Sequence, residues 1–294
     1  MEIGNWRATE DLNEIYRNIR RLGLESNLAE LEAFGFTVIE KVLKNDMVHA
    51  LRASVLRAAE EYMGQPLDLE KEEHHQEIKV IPYLLYRDPI FEDALLCEKP
   101  LALITYLLGN HCLLSSLTSF VKGPGGDGLM LHSDSGAVPA PLPPYGHVAN
   151  VNFTLTDYTE EGGALAMVPG SHRHHRQPTA FEREVSGVNR NPDIVPIEVP
   201  AGSAIIFHGN TWHGSFPRRS PGLRVSLAAY FCRHYMHGQE NYRDHIPKDV
   251  LDRHGEDSRL ATLLGRRTHY GWTWSGPDSS AQRRNRKIGE TWQS

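Results

Sequence analysis

A histidine and a carboxylate two residues apart, at the end of an apolar run, are the first groups in this chain whose spacing could do chemistry. The stretch "LMLHSDSG" at 129–136 carries them as His132 and Asp134. On a strand end, side chains two apart point the same way, so both can reach one ion. The third ligand is expected at His213 in "FHGNTWHGS", which follows a β-rich run 79 residues beyond Asp134. Jelly-roll strand pairing can close such a separation. Two imidazoles and one carboxylate form a facial set that leaves adjacent positions on Fe(II) open for a bidentate cosubstrate and O2. Zinc usually takes a fuller tetrahedral set. Arg224 stands eleven residues after His213, with Ser226 two further on. A guanidinium held inside a barrel needs an anion, and its planar fork matches a carboxylate. A metal with open positions, and behind it a seat for a distal carboxylate, fits a dicarboxylate that chelates through its other end.

Those residues need strands to hold them. From about residue 111 the chain reads as short β-rich runs divided by Gly and Pro, among them "HCLLSSLTSFV", "HVANVNFTLT", "SAIIFHG" and "RVSLAAYFC". Seven or so short strands, with no helix long enough for parallel crossovers, predict an antiparallel barrel or jelly roll. Strict alternation assigns faces in two of them. Val151, Phe153 and Leu155 share one side of their strand, with Asn152 and Thr154 on the other. Val225, Leu227, Ala229 and Phe231 likewise oppose Arg224, Ser226, Ala228 and Tyr230. The polar stripes are where a polar ligand would bind. Ahead of this core, residues 1–110 are mostly helical, with a short strand in "GFTVIEK" and a turn capped by Asn45 or Asp46 before a long amphipathic helix. We expect one catalytic domain over 1–294, with the jelly-roll core at 111–235 and a packing segment and tail at 236–294. Trp272 and Trp274 are expected to fold that tail back onto the body.

The 294 residues carry 31 basic and 37 acidic side chains, a net charge of −6. No broad basic face is on offer, so nucleic acid is not an expected partner; the cluster "RRNRK" at 283–287 reads as a solvated end. No apolar run approaches the ~20 residues of a membrane span. The polar start lacks the apolar core of a secretory signal, which argues for a cytoplasmic protein. Cys97, Cys112 and Cys232 form no CxxC pair and read as reduced core thiols.

The order H-x-D, then "EEGGALAMVPGSH" at 160–172, then "WHGS" and "R-x-S", resembles the phytanoyl-CoA dioxygenase family of Fe(II)- and 2-oxoglutarate-dependent oxygenases over roughly residues 34–235. The resemblance implies a double-stranded β-helix core, cupin-like, with flanking helices. It implies iron on His132, Asp134 and His213, and 2-oxoglutarate with its far carboxylate against Arg224 and Ser226. Asn152, counted back from "PGSH", falls where the family often sets a side chain against the cosubstrate. Members that halogenate replace the carboxylate ligand with a small residue; Asp134 is retained, which implies hydroxylation of a small organic metabolite, with 2-oxoglutarate decarboxylated to succinate and CO2. Desaturation, epimerisation, cyclisation or endoperoxide formation in secondary metabolism share the same centre. A cupin-like metal-binding protein without turnover is the contrasting class, and Arg224 speaks against it.

Other groups have blander readings. His254-Gly255-Glu256 has the same H-x-E form but no β-rich framework around it. His208 is expected to be a hydrogen-bonded structural histidine, and His172, His174 and His175 to lie in a solvated loop. Lys79, Tyr83 and Tyr86 fall near the pocket entrance by the resemblance and are candidate cosubstrate or substrate contacts, with plain packing the alternative. "SGAVPAPLPPYGHV" has no strand or helix period, so it reads as a lid or substrate wall, with Val138, Leu142 and Tyr145 as its apolar inner surface. Oligomeric state is left open.

Overall fold

The structure, a computed structural model, describes residues 6–70, 81–125, 127–136, 138–266, 272–273 and 276–277. Its elements run α1 (Trp6–Leu22), α2 (Glu25–Phe34), β1 (Phe36–Ile39), α3 (Asn45–Met63), α4 (Ile90–Leu95), α5 (Glu98–Leu108), β2 (Leu113–Lys122), β3 (Leu129–His132), β4 (Val148–Thr154), β5 (Leu165–Met167), β6 (Val195–Pro196), β7 (Ala204–His208), β8 (His213–Ser215), β9 (Arg224–Cys232), α6 (Tyr242–His245), α7 (Lys248–His254), α8 (Arg259–Leu263), β10 (Trp272–Thr273) and β11 (Gly276–Pro277). Every strand pairing is antiparallel. A five-stranded sheet in the order β1-β7-β4-β9-β2 faces a four-stranded sheet in the order β3-β8-β5-β6. This is the expected jelly roll with flanking helices. Lys79, Trp274 and the 283–287 cluster lie outside the described residues.

The alternation on the large sheet decides which face meets the helices. Val151, Phe153, Leu155, Val225, Leu227, Ala229 and Phe231 join Leu117 and Val121 of β2 in the main core, against Leu51 and Val55 of α3 and Leu103, Ile104 and Leu107 of α5. Burying each large apolar side chain is worth about 1.5–3 kcal/mol, so this layer fixes the sheet's orientation. Ile205 and Phe207 turn the other way and pack between the sheets with Leu165, Met167, Ile197, Val199 and Tyr158. A third cluster, including Leu131, Trp212 and Phe216 with Val185 and Ile194, lies beneath the 178–194 segment.

Two details differ from expectation. Helix α3 begins at Asn45, so its cap position is Lys44, and Asp46 accepts from the Met47 amide at 2.9 Å. Strand β8 has no counterpart among the β-rich runs, because three residues, one of them glycine, carry no readable period.

On the inward face of the large sheet the register stacks residues in rows. Asn150 pairs with Tyr230, Asn152 with Ala228 and Thr154 with Ser226. Across the next ladder Tyr230 meets Ser116, Ala228 meets Thr118, Ser226 meets Phe120 and Arg224 meets Lys122. Thr118, Phe120, Ala228 and Tyr230 are only half-buried, whereas Leu117, Ser119, Val121, Leu227, Ala229 and Phe231 between them are buried. Solvent thus reaches the inside of the barrel along these strands, and their outer face is dry.

Candidate metal centre and cosubstrate pocket

Strand β3 delivers His132 and β8 delivers His213 as direct cross-strand partners, and a bulge separates that pair from Leu129–Ser215. Bulges re-aim side chains at sites of this kind. Gly214 permits the approach, since a Cβ there would run into the Leu129 carbonyl. Asp134 lies just past the strand end, its amide donating to the Gly209 carbonyl at 2.9 Å. Ser133 Oγ donates to the same carbonyl at 3.0 Å, and Gln177 braces the Ser133 backbone from both sides.

The three expected ligands converge. Among the described residues, His132, Asp134 and His213 form the one group of three metal-ligating side chains, with ligand atoms within 4.8 Å of one another. His132 Nε2 is 3.5 Å from Asp134 Oδ1, and His213 Nε2 is 3.6 Å from Oδ2. Each imidazole turns its other nitrogen to the backbone carbonyl two residues earlier: His132 Nδ1 to Met130 O at 3.0 Å, His213 Nδ1 to Thr211 O at 2.9 Å. A carbonyl only accepts, so both Nδ1 atoms carry a proton and both Nε2 atoms are turned to the carboxylate. Burial lowers the His213 pKa despite the opposing pull of Asp134, which favours the neutral, ligating form. Burial works against the Asp134 carboxylate, but His213, His132 and Asn150 outweigh it and hold its pKa below the usual range. Once Nε2 is deprotonated, two imidazoles and an ionised carboxylate fit a divalent first-row metal.

Nothing in the sequence pattern marks Asn150 beyond the parity it shares with Asn152. Its Nδ2 donates to Asp134 Oδ2 at 2.6 Å. Tyr230, on the polar face that alternation assigns it, donates to the Asp134 carbonyl at 3.4 Å.

Deeper in the barrel, Arg224 is 2 % exposed and donates to the Gly163 carbonyl. Its guanidinium lies 5.2 Å from the centre of the Tyr158 ring. Tyr158 in turn donates to Asn152 Oδ1 at 3.3 Å, so this loop tyrosine bridges both expected cosubstrate residues; no periodicity marked it. Ser226 Oγ is fully buried and makes no hydrogen bond among the described residues. A buried hydroxyl left with spare capacity beside a guanidinium fits the carboxylate of a bound anion.

His208 Nδ1 accepts from the Asn210 amide at 3.0 Å, a structural role, and burial pushes its pKa down to about 3. His174 is exposed as expected, but His172 and His175 are half-buried, His172 with its ring 5.6 Å from that of His208. His254 Nε2 meets the buried Glu92 carboxylate at 2.7 Å, which makes its motif a tether for α7. Tyr83 and Tyr86 stack at 6.1 Å and pack edge-on against Tyr242. Tyr83 also gives its amide to Glu240 at 2.7 Å, so this pair clamps the segment after β9. In the proline-rich loop, Leu142 is buried and its amide donates to His175 O at 2.7 Å. Tyr145 is half-exposed, 5.2 Å from the Arg233 guanidinium and 5.2 Å from His147.

Known proteins resemble this chain in sequence and in fold. A dioxygenase of Aspergillus fumigatus, af480, is 31% identical over 240 residues, covering 79% of this chain and 74% of its own. The ectoine dioxygenase of Halomonas elongata is 28% identical over 238 residues, covering 70% and 69%. HygX of Streptomyces hygroscopicus, solved with nickel and 2-oxoglutarate, superposes with TM-score 0.58 at 17% identity, over 76% of this chain and 94% of that one. It has also been solved with hygromycin B bound. SnoK, an alpha ketoglutarate dependent carbocyclase from nogalamycin biosynthesis, gives 0.56 at 20% identity, over 78% and 90%. At these identities the structural likeness speaks for the fold. The phytanoyl-CoA dioxygenase family model matches residues 31–226, and with two-thirds of its length inside that match the chain belongs to the phytanoyl-CoA dioxygenase family.

Proposed function

We propose that this protein is an Fe(II)- and 2-oxoglutarate-dependent dioxygenase that hydroxylates a C–H bond of a small organic metabolite. One observation carries the assignment. Two imidazoles, each with Nδ1 held by a backbone carbonyl and Nε2 turned to the site, converge on one carboxylate, across the barrel from a strand that carries Ser226 and Arg224. His132, Asp134 and His213 would hold the iron, and Arg224 and Ser226 the distal carboxylate of the cosubstrate. When bound, iron, 2-oxoglutarate and O2 together supply an oxidant for an unactivated C–H bond, with succinate and CO2 leaving as coproducts.

The chain's own residues supply ligation, orientation and shielding. Asn150 restrains one oxygen of Asp134, so the carboxylate presents a defined edge. Thr118, Phe120, Ala228 and Tyr230 leave a passage that solvent can enter, and the small Ala228 leaves room over the middle row. Metabolite-sized substrates are supported by the small molecules named with HygX and SnoK. The test is anaerobic addition of Fe(II) and 2-oxoglutarate, followed by a succinate-release screen over candidate metabolites. A metal-dependent absorption change and substrate-stimulated succinate are expected; no spectral change on adding both would refute the assignment.

A further inference from the structure

His132 sits beside a small arch of chain. Strand β3 is an edge strand of the four-stranded sheet, and its open side takes the segment that follows Arg176. One foot of the arch is Gln177, whose carboxamide accepts from the Ser133 amide and donates to the Ser133 carbonyl, both at 2.9 Å. The other is Arg183, whose carbonyl accepts from the Leu131 amide at 2.9 Å. Residues 178–182 therefore bridge the two neighbours of His132. Within the arch, Ala180–Glu182 form a single 3-10 turn with a capping box at its start. Glu182 accepts from the Thr179 amide and hydroxyl at 2.7 Å each, and closes a two-pronged pair with Arg176 at 2.7 and 2.8 Å. Arg176 in turn lies 4.7 Å over the Trp212 ring.

This braced turn carries Phe181, which is 93% exposed. The segment meets its packing needs without that ring: Val185 and Ile194 enter the cluster of Leu131, Trp212 and Phe216, and Phe181 does not. Because Leu131 is buried there, its strand neighbours Met130 and His132 turn to the opposite face. Met130 keeps 53% of its surface exposed, and its carbonyl holds His132 Nδ1 at 3.0 Å. Two large apolar side chains thus stay in water next to a proposed metal ligand, one on its own strand and one on the adjoining arch. A single exposed apolar residue means little. A ring on a turn that cannot fold back onto the body, however, can be covered from outside at low ordering cost. We propose that Phe181 is a specificity-determining residue: with Met130 it seats an apolar part of the substrate beside His132, so the metabolite oxidised here carries a hydrocarbon or aromatic portion. The inference rests on the dioxygenase reading above.

The experiment is proton relaxation of two small probes, indole and glucose, added to the full chain loaded with Mn(II) and 2-oxoglutarate. Relaxation by Mn(II) falls steeply with distance, so it reports binding beside the metal and not elsewhere on the surface. Indole should be relaxed more strongly than glucose by the wild-type protein. In Phe181→Ser the affinity for indole should fall about fivefold or more, the scale of losing contact with one apolar ring. Phe181→Leu should stay within about twofold of wild type. Val188→Ser is the control, since Val188 is fully exposed on the same segment but outside the arch. Indole that is not relaxed, glucose relaxed more than indole, an unchanged Phe181→Ser, or equal loss in Val188→Ser would each overturn the proposal. So would a wild-type dimer that Phe181→Ser dissolves, because a second chain would then cover the ring, or a Phe181→Ser chain that fails to fold. Wild-type protein that binds no 2-oxoglutarate in calorimetric titration with Mn(II) would instead remove the dioxygenase reading itself.

Discussion

Replacing Asn150 with alanine removes the side chain that holds Asp134 without touching any of the three proposed metal ligands. The lost bond runs from Asn150 Nδ2 to Asp134 Oδ2 at 2.6 Å, a short donor to an ionised oxygen. Hydrogen bonds to charged groups contribute about 1.5–3 kcal/mol. The Asp134 side chain keeps 20% of its surface exposed, so water replaces part of the loss and the lower end applies. About 1.5 kcal/mol corresponds to roughly tenfold weaker metal binding. That agrees with the ~10–100-fold commonly lost when the partner of a metal ligand is removed. Competition against a chelating dye, with Mn(II) as the metal, measures it directly. Asn152→Ala is the control: its side chain faces Tyr158, so metal affinity should hold while the apparent affinity for 2-oxoglutarate falls. Metal affinity unchanged in Asn150→Ala, or equally reduced in both variants, would refute the idea that Asn150 orients the carboxylate.

Other outcomes follow from the same geometry. On the proposed function, in which Arg224 takes the distal carboxylate and no metal contact, Arg224→Met should abolish measurable 2-oxoglutarate binding at micromolar concentration while leaving Mn(II) affinity within about threefold. Glu92→Ala breaks the buried carboxylate's contacts to Arg253, at 2.6 Å, and to His254. Arg253 can rehydrate, so a cost of about 2–3 kcal/mol is expected. That lowers the melting temperature by about 4–12 °C in scanning calorimetry, with metal binding unaltered. His208, with its pKa pushed down to about 3, enters the folded state neutral. An unfolded imidazole titrates near ~6.5, so between those values the unfolded chain binds the extra proton. Stability is then full above about pH 6.5 and declines as pH falls toward 3, by about 3 kcal/mol at pH 4 from this residue. His208→Gln should flatten that slope in urea titrations across pH 4–7.

The parts of the sequence that were legible are those where a period meets a boundary. On β4 and β9 the alternation is sharp because one face meets a helix layer and the other a polar passage, so Asn152, Arg224 and Ser226 could be assigned a side. Spacing alone did not single out His132 and Asp134, since His254 and Glu256 share it; His213 and the R-x-S stretch behind it distinguished the pair. Strand β8 was not legible, since "HGS" owes its strand state to pairing with β3 and β5 and to a glycine that lets β3 close in. Tyr158 is set by tertiary approach, from a loop, and leaves no mark in the local pattern. The histidines at 172 and 175 read as loop residues because their burial comes from the distant β7 end and the proline-rich segment, not from their neighbours.

The division between the two faces of β2 and β9 has an evolutionary corollary. Leu117, Val121, Leu227 and Ala229 answer to the helices, whereas Thr118, Phe120, Ala228 and Tyr230 alternate with them and answer to whatever enters the barrel. Adjacent codons of one strand are therefore under separate selection. A lineage can exchange every second residue to accept a new molecule without disturbing the layer that keeps the protein folded, and a scaffold built this way can diversify its chemistry in single mutational steps.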